Sequence, residues 1–191
     1  MINVFIFHGT GGSPESNWFP WLKGELEKKG VPVFVPQFPD PRENHHLEDW
    51  LGVLKQYEQR INEQSILVGH SLGGLFLLRI LERLNHQVPA AFFVAAPVGV
   101  MPIRYYDSDE KFSRFTFKWD KIKENAKNFF VYHSNNDPYV SLGNGEELAK
   151  QLGVQLTLVP NAGHLNAESG YTKFDTLLKD INGILGKQQA L

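Results

Sequence analysis

Three residues of this chain have the chemistry to open a carbonyl bond together: Ser71, Asp137 and His164. The stretch Gly69-His70-Ser71-Leu72-Gly73-Gly74 follows the apolar run Ser65-Ile66-Leu67-Val68 and opens a long apolar segment from Leu75 to Leu84. A serine on a sharp strand-to-helix turn holds its hydroxyl clear of the sheet in a strained backbone conformation. Such a turn leaves no room for side chains two residues away, which accounts for Gly69 and Gly73. Average composition produces a Gly-x-Ser-x-Gly pattern in a chain this long with odds of about one in twenty, so the weight of the motif rests on its setting and its partners.

A serine hydroxyl is a poor nucleophile until a base takes its proton, and the base works best when a buried carboxylate fixes its tautomer. In a doubly wound sheet such groups sit in loops beyond the carboxyl ends of strands. Asp137, in Ser134-Asn135-Asn136-Asp137-Pro138, comes just after the run Phe129-Phe130-Val131-Tyr132-His133. Competing acids fit less well. Asp107, Asp109 and Glu110 fall in an irregular segment, Asp120 and Glu124 in a short helix within it, and Glu146 and Glu147 at a helix start, where the dipole favours carboxylates in any case. The chain order serine, acid, histidine then demands a histidine after Asp137, and His164 is the only one. It lies in Asn161-Ala162-Gly163-His164-Leu165-Asn166, directly after a run ending near Pro160. Ser71 is therefore the expected nucleophile, His164 the base and Asp137 the residue that orients it.

The developing oxyanion needs backbone donors. Leu72 N–H, at the start of the helix after Ser71, is one candidate. The second is Thr10, with Gly11 as the alternative, in the loop His8-Gly9-Thr10-Gly11-Gly12-Ser13. That loop lacks the lysine and spacing of a phosphate-binding loop. The other histidines have plainer expectations: His70 packs beside the nucleophile, His45 and His46 lie in a loop, His86 closes a helix and His133 ends a strand. No His-x-x-x-His pairing suggests a metal, and no cofactor is required.

The positioning elements follow from periodicity. Residues 2–7 read as a buried strand, and Trp18, Trp21, Leu22 and Leu26 as one face of a helix stopped by Gly30. Residues 31–36 form a short strand bounded by proline, and residues 37–44, with Pro39, Asp40 and Pro41, a loop. Leu47, Trp50, Leu51, Leu54 and Ile61 mark a second helix, followed by the strand at 65–69 and a helix apolar almost all round. Strands are then expected at 90–96, 129–133 and 154–159, and helices at 146–152 and from Phe174 to Leu185, with a frayed tail from Lys187. Residues 97–127 read as an irregular aromatic excursion, a candidate small lid, ending in a short helix near Trp119 to Ala126. Strands alternating with helices argue for a parallel sheet with right-handed crossovers: a single α/β domain spanning 1–191, about six parallel strands with helices on both faces.

With 191 residues the chain is large enough to bury roughly 70% of its unfolded surface. It has no cysteine, which excludes disulfides and thiolate metal sites. A formal net charge of -2 gives no reason to expect nucleic acid or an anionic membrane as partner, and no apolar run reaches the roughly 18 residues of a membrane span. No export signal precedes the first strand, so a soluble cytoplasmic protein acting on a small-molecule acyl substrate is expected.

Taken together, the His8-Gly9-Thr10-Gly11-Gly12 loop, Trp18 to Lys29, Pro36-Gln37-Phe38-Pro39-Asp40-Pro41, Gly69-His70-Ser71, residues 117–123, Asn136-Asp137-Pro138 and Gly163-His164 resemble the α/β-hydrolase superfamily. Within it they resemble the small serine hydrolases of the retinoblastoma-binding and YdeN-like type. The resemblance covers nearly the whole chain and implies a compact α/β-hydrolase fold with Ser71, Asp137 and His164 as triad. The Leu-x-Cys-x-Glu motif linked with the mammalian relative cannot exist in a chain without cysteine, so retinoblastoma binding is not carried over. The expected activity is hydrolysis of a small ester, thioester or amide. An acyltransferase would use the same triad, and a silent hydrolase fold acting as a protein-interaction module would dispense with it.

Overall fold

The computed structural model describes residues 2–39 and 46–189; residues 40–44 of the expected loop, His45 and the last two residues of the tail lie outside the described residues. Six strands form one parallel sheet in the order β2-β1-β3-β4-β5-β6: β1 Asn3–Phe7, β2 Val33–Phe34, β3 Ser65–His70, β4 Ala90–Val94, β5 Phe129–His133 and β6 Leu156–Leu158. The helices are α1 Phe19–Glu27, α2 Leu47–Lys55, α3 Leu72–Leu81, α4 Tyr106–Ser113, α5 Trp119–Glu124, α6 Leu142–Leu152 and α7 Asp175–Gln189.

Both faces of the sheet are covered, so its central strands are apolar throughout, yet period-two alternation still sorts them. Phe5, Phe7, Leu67, Phe93 and Val131 join the core under α2 to α6. Val4, Ile6, Val68, Phe92 and Tyr132 face the other way, against α1 and α7. The chain winds outward from β1 to β2, then returns to place β3 on the opposite side of β1, with Phe7 paired to Gly69. Loops leaving β1 and β3 therefore diverge to opposite faces at their carboxyl ends and open a crevice there.

Several boundaries differ from the sequence expectation. The second helix stops at Lys55, because Gln56 and Tyr57 donate to carbonyls three residues back and tighten the chain into a 3-10 turn at Glu58–Arg60; Ile61 is buried beyond it. β2 is only two residues long, an edge strand limited by flanking prolines that cannot donate. β4 ends at Val94 because Ala95 turns to a φ of 50°. β6 starts late, since Val154 N–H caps α6 through the Ala149 carbonyl. α6 begins at Leu142 rather than Glu146, and α7 continues to Gln189 where a frayed tail was expected.

The largest departure is in residues 97–127, which contain two helices rather than one. α4 is polar along most of its length, and tertiary anchors hold it. Phe112 packs edge-on to Trp50 and Phe76. The buried Arg79 of α3 donates from Nε to Ser113 Oγ at 2.6 Å and from Nη2 to the Ser113 carbonyl. The same guanidinium pairs with Glu82 at 2.7 Å and lies over the Phe117 ring, while Glu82 accepts from Lys118 N–H at 2.7 Å. The entry to this excursion is fixed by buried Asn144, whose Oδ1 accepts from Val98 and Val100 N–H at 2.9 and 3.0 Å.

Candidate active site

Ser71 occupies the turn between β3 and α3 at φ 56° and ψ -127°, a left-handed conformation that an L-residue adopts only under constraint. Two features enforce it. Ser71 N–H donates to the Val94 carbonyl at 2.9 Å. On the other side, a side chain at Gly73 would overlap the carbonyl oxygens of Phe7 and His8, so α3 starts in direct backbone contact with the end of β1. Gly73→Ala is expected to lower stability by about 3 kcal/mol, the upper end of the overpacking range, measured by urea unfolding. A loss below 1 kcal/mol would contradict so tight an approach.

A cleft of about 380 Å³ opens at the carboxyl ends of the strands, and Ser71, His164, Thr10 and Gly11 all line it. Leu72 is the first residue of α3, so its N–H has no partner within the helix. A β-carbon at Gly9 would come within 2.7 Å of Ser71 Cβ, so glycine there lets the loop after β1 close over the serine.

Asp137 and His164 arrive from the loops after β5 and β6. His164 Nδ1 donates to Asp137 Oδ2 at 2.7 Å. The other carboxylate oxygen, Oδ1, accepts from Tyr139 and Val140 N–H at 2.8 and 3.1 Å. Burial alone pushes the Asp137 carboxyl up, but the bond from His164, its charge and the two backbone donors outweigh burial and hold it below the ordinary carboxylate value. His133 Nε2 lies 3.7 Å from Asp137 and donates to the Val140 carbonyl at 2.9 Å; burial pushes its pKa down and keeps it neutral. No hydrogen bond links the Ser71 hydroxyl to His164 among the described residues, the looser spacing common in substrate-free sites.

What aligns Asp137 and His164 is not visible in the spacing of the sequence. Three successive side chains of the loop after β5 accept from three backbone N–H groups of the loop after β6: Ser134 Oγ from Ala162 at 2.9 Å, Asn135 Oδ1 from Asn161 at 2.8 Å and Asn136 Oδ1 from Gly163 at 2.8 Å. Trp18 Nε1 ties down the Leu165 carbonyl at 3.0 Å. The His164 ring is held between those of His70 and Tyr139, each with its centroid 4.9 Å away. The run of small polar residues before Asp137 was the available signal, since Ser and Asn there bond backbone readily.

His70 is a buried support, as expected from its place beside Ser71. Its Nε2 donates to the His164 carbonyl at 2.9 Å, and burial, reinforced by the neighbouring His164 charge, lowers its pKa to about 3. A histidine neutral in the fold and protonated when unfolded makes the unfolded state bind the extra proton between about pH 6.5 and 3, so stability falls as pH drops through that window. His70→Gln, which keeps a donor but cannot titrate, is expected to flatten the stability curve there by about 1.4 kcal/mol per pH unit, read from urea midpoints at pH 4–7. An unchanged slope would assign the proton uptake elsewhere.

One acid of the 97–127 segment reaches the cleft. Asp109, on α4, lines it with 4% exposure. Among the described residues there is no group of three or more His, Cys, Asp or Glu side chains placed to hold a metal ion, and no helix is long and apolar enough to cross a membrane.

A strained serine, a histidine on a buried carboxylate and backbone donors in one cleft are the parts of a serine hydrolase, and the likeness to known proteins agrees. The serine hydrolase family model matches residues 4–182. The YdeN protein of Bacillus subtilis (strain 168) is 32% identical over 187 residues, covering 97% of both chains. Serine hydrolase RBBP9 of Rattus norvegicus is 28% identical over 186 residues, covering 94% of both. The crystal structure of the B. subtilis ydeN product superposes with a TM-score of 0.87 at 29% identity, over 97% of this chain and all of that one. Est1E from Butyrivibrio proteoclasticus shares the fold at a TM-score of 0.72 and 15% identity, over 100% of this chain and 89% of its own. This chain, an α/β-hydrolase fold, belongs to the serine hydrolase family.

Proposed function

We propose that the protein hydrolyses a small carboxylic ester, thioester or amide through an acyl-enzyme on Ser71. The observation that carries this reading is the 2.7 Å bond from His164 Nδ1 to Asp137, made beside the cleft that Ser71 lines. With Nδ1 donating to the carboxylate, His164 Nε2 is the nitrogen left to accept a proton. Ser71 Oγ adds to the substrate carbonyl as its proton passes to Nε2. The bond to the leaving group breaks as His164 returns that proton to it. Water then adds to the acyl-enzyme with His164 as base, the Ser71 Oγ–acyl bond breaks, the serine regains its proton and the acid departs. Leu72 N–H and the Thr10 N–H, or that of Gly11, bind the oxyanion, each contributing about 3–4 kcal/mol.

Residues 103–119 supply little surface for the competing reading of a protein-docking module. Phe112 is buried, Tyr106, Phe115, Phe117 and Trp119 are half-buried, and of the aromatics there Tyr105 alone is exposed. Reaction with a fluorophosphonate probe, with the adduct located by mass spectrometry, tests the proposal alongside turnover of a panel of p-nitrophenyl esters. A stoichiometric adduct on Ser71 is expected. An adduct on another residue, or neither labelling nor turnover, would overturn it.

A further inference from the structure

The proposed chemistry leaves one group in the cleft without a task. Asp109 projects from α4 on the same face as Phe112 and Ser113, the face that turns inward. Phe112 is packed in the core and Ser113 is held by Arg79. Asp109 Oδ1 is shut off from solvent with no hydrogen-bond partner among the described residues. An unsatisfied buried carboxyl costs stability that leucine or alanine at the same place would not. The helix nevertheless presents it to the cleft that holds Ser71 and His164. The only other acid of that lining, Glu168, is occupied by the Tyr139 hydroxyl at 2.9 Å, and no lysine or arginine lines the cleft among the described residues. The Asp109 carboxyl has no donor within the protein among the described residues, and the residue's remaining 4% exposure goes with its place in the cleft lining, the side from which a substrate can bring a donor to the carboxyl.

We propose that Asp109 is a specificity-determining residue: its carboxyl accepts a hydrogen bond from a hydroxyl or ammonium group on the substrate, so that the enzyme prefers acyl compounds carrying such a donor to their apolar isosteres. The inference rests on the serine-hydrolase reading of the same cleft. Burial also raises the Asp109 carboxyl to about 7, which marks how little its surroundings offer the charge at present. A site built around an acceptor discriminates strongly, because an analogue without the donor leaves the buried group unpaired a second time.

The test compares p-nitrophenyl hexanoates bearing a hydroxyl, an ammonium or a methyl group at carbon 2, 3 or 6, in wild type, Asp109→Leu and Asp109→Asn. At one of these carbons the wild type is expected to show a kcat/KM about 10- to 100-fold higher for the donor ester than for its methyl isostere. That ratio should collapse toward one in Asp109→Leu. Asp109→Asn keeps a carbonyl acceptor but no charge, so it should retain preference for hydroxyl and lose preference for ammonium, which separates the two donors. Because the readout is a ratio within each variant, a general loss of activity or stability does not imitate it. No donor preference at any position in wild type, or one unchanged in Asp109→Leu or, should that variant not fold, an ammonium preference unchanged in Asp109→Asn, would overturn the proposal. Failure of the serine-hydrolase reading would look different, as a wild type neither labelled by fluorophosphonate nor active on any of these esters.

Discussion

Ser71→Ala is expected to lower kcat for p-nitrophenyl esters by about 10⁶-fold and to abolish fluorophosphonate labelling, while the protein stays folded. In the proposed chemistry attack, proton transfer and acyl transfer all pass through Oγ, so water in the same cleft would inherit only the oxyanion donors and the rate falls this far. The fold survives because the structural work of residue 71 is done by its backbone: the N–H bond to Val94 and the left-handed turn are available to alanine at similar strain. Steady-state rates and the thermal unfolding midpoint of the purified variant check both halves. A decrease of less than tenfold with labelling retained would remove Ser71 from the chemistry.

Asp137→Asn should cost about 10⁴-fold in kcat, and the hydrogen bonds around it explain why so small a change is so expensive. Oδ1 accepts from two backbone N–H groups, Tyr139 and Val140. An asparagine must keep its carbonyl oxygen there, which turns its amide NH₂ toward His164 Nδ1. That nitrogen is then forced to accept, the proton moves to Nε2, and the ring presents a donor to Ser71 where a base is needed. Wild-type and variant rates on one ester, with the variant's unfolding curve as control, test this directly. A rate within tenfold of wild type would assign the orienting role to another carboxylate.

How much of this was legible beforehand depends on the range of the interactions involved. The six strands and most helices follow from apolar periodicity, which is local. The turn at Ser71 shows locally as its Gly-x-Ser-x-Gly pattern, although only Gly69 answers to atoms of the turn itself; Gly73 makes room for the Phe7 and His8 carbonyls at the end of β1. Asp137 and His164 could be found because few acids and one histidine stand after the right strands. α4 could not: Tyr106 to Ser113 is mostly polar, and the helix is held by Arg79 and by Phe112 against Trp50, partners more than thirty residues away. The glycines at 143 and 145 hid the first turn of α6 in the same way, since they are there to let that turn approach Val100 and His133.

By itself, then, the sequence determined the parallel α/β order, the serine turn and which acid and histidine were available to serve it, since these depend on residue type, period and chain order. Only the tertiary structure decided that Ser134, Asn135 and Asn136 grip the loop before His164, that Asp137 has both oxygens engaged, and that Asp109 reaches the cleft unpartnered. Those are hydrogen bonds, and vacancies for hydrogen bonds, between segments distant along the chain. No local pattern encodes them, because each depends on where packing of the whole sheet brings two loops together.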